Sequence, residues 1–339
     1  MDASEVARRT QTIQKFIRGD HHREGEYLGF ASWLVFDHVD VGGADLPPVA
    51  LYRRNGPRQF EKLRDAHEPY SILALSALPE VWIRDEDIHK FRLHVEALFV
   101  QKSPLLKELP LEARASLIRS SAIHVMDDIF AEPSEENIKR GTQVVGSMVY
   151  TLMKDPNAYQ LLSKLSAHDP YTLQHSVGTA VHSIMLAKKM GMKTEEELNA
   201  AGIAGLLHDV GKVKVKKEII NKNGPLEELG WEEMRQHSLE GYNIVKDNPN
   251  VPEAAKLAIL EHHEDKNGSG YPHGKKGSEV GLLSKIVCIA DIFNALTTDR
   301  TYSKARNVFD ALQFMKTQIH HKVDDAVFLE LVKLYKGET

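Results

Sequence analysis

The chain of 339 residues contains one cysteine, Cys288, so no disulfide framework can form within it and nothing demands an oxidising compartment. Zinc sites built on several thiolates are excluded by the same count. No run of about 18 apolar residues occurs, so no transmembrane helix is expected. The opening stretch MDASEVARRTQTIQKFIRGDHHREGE lacks the apolar core of a secretory signal, and the cytoplasm is the expected location. An excess of positive charge is also missing. The net charge of −5 argues against a surface for DNA or RNA.

What is present is a globular composition, 42% apolar and 27% charged, rather than a disordered one. The length suffices for two domains and a sizeable core. There are 17 histidines against the single cysteine, so any metal is expected on His, Asp and Glu.

Texture changes along the chain. YLGFASWLVFDHV, VALYRR and EVWIR are rich in aromatic and β-branched residues, and VGGADLPP and RRNGPRQ separate them like turns. DEDIHKFRLHVEALF follows with Ile88, Phe91, Val95 and Leu98 at helical spacing. This part reads as a small α/β or α+β module. His21 and His22 lie in its charged, turn-rich start and read as a solvated surface pair. From about Ser103 the pattern is helical to the end. Ser134 reads as an N-cap, and Val144, Val145, Met148, Leu152 and Met153 as a packing stripe.

The helical part carries the chemistry. His175 lies in YTLQHSVGTAVHSIMLAKKMG, with His182 two turns later; one suits a ligand and the other a structural role. Thr194 and Glu197 form a capping-box pattern before AAGIAGLLHDV, which is apolar on nearly every side and reads as a buried helix. His208 and Asp209 end it. Burying that pair is costly unless the two bond each other or hold a metal. His237, the adjacent His262 and His263, and Asp291 follow on later helical segments. Helix-borne His and carboxylates that converge build dinuclear sites in helical bundles. A donor set without thiolate suits iron, manganese or another borderline-to-hard cation.

These pieces carry a family resemblance. YTLQHSV, LLHDVGK, EIINKNGPL, MRQHSLEGYNIV, HHEDKNGSGYPHGKKG and IVCIADIFNALTTDRTYSKA run in order from Tyr171 to Ala305 and resemble the HD-GYP branch of the HD-domain metal-dependent phosphohydrolases. The resemblance implies a multidomain chain: residues 1–102 a regulatory or sensory α/β (or α+β) module, 103–166 a helical linker, and 167–339 an all-α HD-GYP catalytic domain. ALYRR, FEKL and EVWIRDEDIHKF are similar to the small module found before some such domains.

By the same resemblance His175, His208, Asp209, His237, His262, His263 and Asp291 fall on the metal-ligand positions. Two divalent ions are implied, iron first and manganese as the alternative. Asp209 would bridge them, with His175, His208 and Asp291 on one ion and His237, His262 and His263 on the other. Lys212 would neutralise a phosphate oxygen or assist the leaving group. Arg300 would contact phosphate, and Gly270 and Tyr271 of the GYP turn would face a ligand or a protein partner such as a GGDEF-domain protein; a homodimer is also in view. Gly268 and Gly270 would permit backbone φ closed to most residues.

The implied activity is hydrolysis of cyclic di-GMP, or a related cyclic dinucleotide, to linear pGpG and on to GMP. The alternative is a catalytically weak or inactive receptor that signals through partners. A general phosphohydrolase for another nucleotide is disfavoured by the GYP segment. Five departing residues bear on the choice. Tyr171 stands where some members place a third-metal Glu, so two metals are expected. Thr301 and Ser303 replace a Pro and a basic residue, and Asn267 and Asn294 replace aspartates.

Overall fold

Alternation along the strands decides the N-terminal unit. In the computed structural model, residues 4, 8, 11, 12, 15, 16, 20–33, 46–66, 68, 70–101, 110–163, 171–220, 222, 224–299 and 304–336 are described. They divide into two compact units, Met1–Ser121 and Ala122–Thr339. The first contains β1 (His22–Glu24), β2 (Tyr27–Ala31), β3 (Leu51–Gly56), β4 (Gln59–Arg64), the short helix α1 (Ile72–Ser76), β5 (Glu80–Arg84) and α2 (Ile88–Gln101). The strands form one antiparallel sheet in the order β1-β2-β5-β3-β4. An antiparallel sheet needs no crossover helices, so the unit is α+β rather than α/β.

Register explains the two faces. Leu28 pairs with Ile83 and Phe30 with Val81, and all four are buried on one face. Phe91 of α2 meets Phe30 there, with ring centroids 4.6 Å apart. Tyr27, Phe60 and Trp82 gather on the other face, where Tyr27 stacks on Phe60 at 4.1 Å. Arg23 forks onto Asp85 at 2.7 and 3.0 Å and ties β1 to the turn before α2. The solvated-pair reading holds for His22, 3.6 Å from exposed Glu80, but not for His21. His21 packs against Phe30 at 4.6 Å, and burial, with Arg92 nearby, lowers its pKa to about 4.

The second unit is helical throughout among the described residues. The division falls inside α3 (Leu111–Ala131). There follow α4 (Glu135–Lys154), α5 (Ala158–Ser163), α6 (Tyr171–Lys189), α7 (Glu195–Leu207), α8 (Lys217–Ile220), α9 (Glu228–Arg235), α10 (His237–Val245), α11 (Glu253–Glu261), α12 (Leu282–Thr297), α13 (Val308–Gln318) and α14 (Asp325–Lys336). No described helix is long and apolar enough to cross a membrane. Ser134 caps α4 by accepting from the Asn137 amide, and the α4 stripe is buried except at Met153, which is 47% exposed. Met153 lies at the last turn, past the edge of the packed face.

Helix α7 is the centre of this unit. Thr194 and Glu197 close both bonds of the capping box, and every residue from Ala200 to Leu207 is buried. It packs on α4, α6, α11 and α12. Beyond it, Asp209 leads into a 3₁₀ turn, Val210–Lys214, that docks on α10. Gly211 makes that docking possible: a Cβ there would run into the His237 carbonyl oxygen and the Gly241 amide nitrogen. Backbone cannot yield as a side chain can, so this approach sets how near Asp209 comes to His237. His182 is the structural histidine. It donates from Nδ1 to the Gly178 carbonyl at 2.7 Å, and its Nε2 lies 3.1 Å from the Tyr335 hydroxyl on α14.

Gly211→Ala is expected to cost about 1–3 kcal/mol of stability by overpacking. It is also expected to loosen metal binding, because the turn would move away from α10. Urea titration together with metal analysis checks this; an unchanged midpoint would mean that the close approach is not needed.

Candidate metal centre

A histidine presents one nitrogen only after the other is committed. His208 donates from Nδ1 to the Gly205 carbonyl at 2.8 Å, His237 to Met234 at 2.7 Å, and His262 to Ile259 at 2.8 Å. Each acceptor is the carbonyl three residues back, close to a helix end, where backbone carbonyls lose their helical partners. A carbonyl has no proton to give, so Nδ1 carries the hydrogen and Nε2 is left with its lone pair. His175 is oriented differently: its Nδ1 lies 2.9 Å from Oδ1 of Asn294 on α12. Asn294 sits so close to α6 that a Cβ on Gly178 would overlap its amide.

The side chains turned inward form two groups. His175, His208 and Asp291 offer ligand atoms within 4.8 Å of one another, and so do His237, His262 and His263. His175 Nε2 is 2.9 Å from Asp291 Oδ1. Asp209 lies between the groups with one oxygen toward each. Its Oδ2 is 3.4 Å from His208 Nε2 and 4.0 Å from His175 Nε2, and its Oδ1 is 3.5 Å from His237 Nε2.

Two features show that these residues suit cations. His237 and His262 bring their Nε2 atoms to 3.3 Å, both as lone pairs, an arrangement that is repulsive unless a positive charge intervenes. His208 Nε2 is buried with no hydrogen-bond partner. Titration points the same way. Burial lowers His237 and His262, with His263 adding to the effect on His262, and takes His263 down to about 3. Burial alone would also lower His208, but Asp209 and Asp291 hold it above its ordinary value. Burial would raise both carboxyls; Lys212 and His208 keep Asp209 well below the usual range, and His175 does the same for Asp291. Ionised carboxylates and mostly neutral imidazoles are the ligand-competent forms.

The loop after the paired histidines is held by the acidic residues around them, which sequence reasoning missed as organisers. Glu261 accepts from Lys275 Nζ at 2.6 Å and from Ser284 Oγ at 2.9 Å. Glu264 accepts the His273 and Lys275 amides at 2.7 and 2.8 Å. The available signal was three acids flanking two histidines in EHHED, too many for a solvated turn. Gly268 has φ +82°, as expected, but Gly270 does not lie in that region. Gly270 is needed instead for close approach, because a Cβ would meet the Asp265 amide and the His263 carbonyl. Tyr271 then tilts over His263, with centroids 4.7 Å apart. Burial and the nearby Asp291 and Asp209 push the Tyr271 phenol upward, so it remains a neutral hydroxyl.

Lys212 lies against the shared carboxylate, its Nζ 2.6 Å from Asp209 Oδ2. Asn267 Oδ1 accepts the Ser269 amide at 3.1 Å and lies 2.8 Å from its hydroxyl, bonds that a carboxylate would also accept. Arg300, Thr301 and Ser303 lie outside the described residues, as does the side chain of Tyr171.

An all-helical unit that aims five imidazoles and two carboxylates at one place, with one carboxylate common to both groups, defines the class of helical proteins with paired His/Asp metal sites. The chain belongs to the HD domain family, in its HD-GYP branch, with residues 158–327 matching the family described as "HD domain". It is 33% identical over 192 residues to the cyclic di-GMP phosphodiesterase PA4108 of Pseudomonas aeruginosa, covering 57% of this chain and 46% of that protein. It is 33% identical over 169 residues to the 3'3'-cGAMP-specific phosphodiesterase 3 of Vibrio cholerae, covering 50% and 36%. The chain thus spans less than half the length of these relatives. Bd1817, an HDG"Y"P protein from Bdellovibrio bacteriovorus, superposes with a TM-score of 0.63 at 19% identity, over 92% of this chain and 100% of that one, which shows the fold alone.

Asp209→Ala is expected to lose both metals together, since its oxygens face both groups; metal retained at either site, read by elemental analysis, would exclude sharing. The metal-free protein is expected to lose stability as pH falls. His237, His262, His263 and His182 are neutral in the fold and recover an ordinary value of 6.5 when unfolded, so the unfolded chain binds more protons below that pH. Their contribution is complete above about pH 6.5 and declines toward pH 4, with His208 alone running the other way. Urea midpoints in chelator across this range check it, and a flat profile would contradict the neutral imidazoles.

Proposed function

We propose that this chain is a metal-dependent phosphodiesterase that opens a cyclic dinucleotide, cyclic di-GMP first, to linear pGpG and on to GMP. The observation that carries this reading is Asp209, a buried carboxylate shared by two groups of inward-facing imidazoles. Relatives named for cyclic di-GMP and for cyclic GMP–AMP support the substrate class and make the second nucleotide the alternative. His175, His208 and Asp291 would hold one divalent cation, and His237, His262 and His263 the other. With nitrogen and carboxylate donors and no thiolate in either group, iron suits the site first and manganese second. When bound, such a pair supplies an acidified water and a polarised diester, so no protein nucleophile is required.

The residues themselves do the rest. Asp209 sets the separation of the two groups. Lys212 keeps a cation beside that carboxylate, from which it can turn to a phosphate oxygen or the departing oxygen. Tyr271 offers a neutral hydroxyl above His263. Arg300 is assigned to phosphate by its place in the motif. Residues 167–339 would form the catalytic domain, 103–166 a linker, and 1–102 a regulatory module. The receptor reading draws on Thr301 and Ser303 alone, because Asn267 and Asn294 both accept hydrogen bonds as carboxylates would.

Protein purified without air is expected to carry close to two metals and to linearise cyclic di-GMP. Lys212→Ala is expected to keep the metals while kcat falls about 100-fold. Iron- or manganese-loaded protein that binds the nucleotide yet never cleaves it would replace this reading with the receptor.

A further inference from the structure

Outward from the second histidine group lies a cation with no assigned task. Tyr271 tilts over His263 at 4.7 Å and meets His237 edge-on at 6.2 Å. The Arg235 guanidinium lies over the same Tyr271 ring, 5.9 Å from its centroid. Arg235 is exposed and ends α9, two residues before His237. Three other cations near the loop are committed: Lys212 to Asp209, Lys275 to Glu261 and Lys266 to Asp325. No described carboxylate pairs with Arg235. Its place above a ring suits a guanidinium better than an ammonium, since the plane can lie on the aromatic face while its edge stays open.

The two groups of ligands also define sides. Lys212 approaches Asp209 at Oδ2, the oxygen turned to His175 and His208. Arg235 stands beyond Tyr271, on the side of His237 and His263. A cyclic dinucleotide carries two phosphodiesters, and only one can be at the cations at a time. The second brings a negative charge to the rim, where leaving it unpaired would cost affinity. We propose that Arg235, steadied by the face of Tyr271, binds the phosphodiester that is not being cut, and so selects two-phosphate cyclic substrates over simple diesters. The inference rests on the phosphodiesterase reading above. Arg235 touches substrate but not the reacting atoms, so its loss acts on KM.

The test compares manganese-loaded wild type with Arg235→Gln on cyclic di-GMP and on bis(p-nitrophenyl) phosphate, which has one phosphate. In the variant the ratio of kcat/KM for cyclic di-GMP to that for the simple diester is expected to fall about tenfold, through KM, with metal content retained. Arg235→Lys is expected to recover only part, because an ammonium cannot fork onto a phosphate or lie flat on Tyr271. An unchanged ratio overturns the inference, and so does a parallel loss on both substrates, which would place Arg235 at the reacting centre or in the fold. Wild type that cleaves the simple diester but neither cyclic di-GMP nor cyclic GMP–AMP would defeat the cyclic-dinucleotide reading separately. Arg235 would then be judged by cyclic di-GMP affinity, and equal Kd in wild type and variant would overturn its role.

Discussion

A backbone carbonyl that takes the Nδ1 proton of a buried imidazole leaves the other nitrogen facing inward as a lone pair, and the centre of this protein depends on that constraint. It acts three times through the carbonyl three residues back, at His208, His237 and His262. Asn294 supplies the same acceptor to His175 from another helix. The outcome is a volume crowded with lone pairs and two ionised carboxylates, which is stable as a cation site and strained as anything else. The 3.3 Å approach of His237 Nε2 to His262 Nε2 shows how far the packing has been taken toward that end.

The remainder of the helical unit keeps this volume in place. Helix α7, buried along its length, delivers His208 and Asp209 to the middle and then must stop. The turn that follows can lie against α10 only because Gly211 has no side chain. The loop after His263 is held by the buried carboxylates of Glu261 and Glu264 and by the Tyr271 amide, which donates to the His263 carbonyl at 3.1 Å, so Tyr271 stands over the second group.

Much of this was legible along the chain. The α7 capping box and the buried character of AAGIAGLLHDV follow from residue type and period, and the seven candidate ligands from the ordered motifs of the family resemblance. The strands were legible too, from the aromatic and β-branched residues of EVWIR and its neighbours between turn-like stretches. Other features were not. Met153 continues a stripe whose packing partners have ended, and His21 sits in charged sequence yet lies against Phe30. Gly270 looks like a turn glycine, but the reason for it is the backbone of His263 and Asp265. In each case the deciding neighbour belongs to another element or another stretch of chain, which no local period encodes.

The sequence by itself determined the kinds of donor, the absence of thiolate partners and the helical segments that carry the candidate ligands, because those follow from composition and from which face of a helix is apolar. It also held the ordered motifs by which the family is known. Only the tertiary structure decided which nitrogen of His175, His208, His237 and His262 faces inward, which oxygen of Asp209 faces which group, and that Arg235 rests over Tyr271. These are distances between residues far apart in the chain. They are set by how closely helices pack, down to whether a Cβ fits at Gly178 or Gly211.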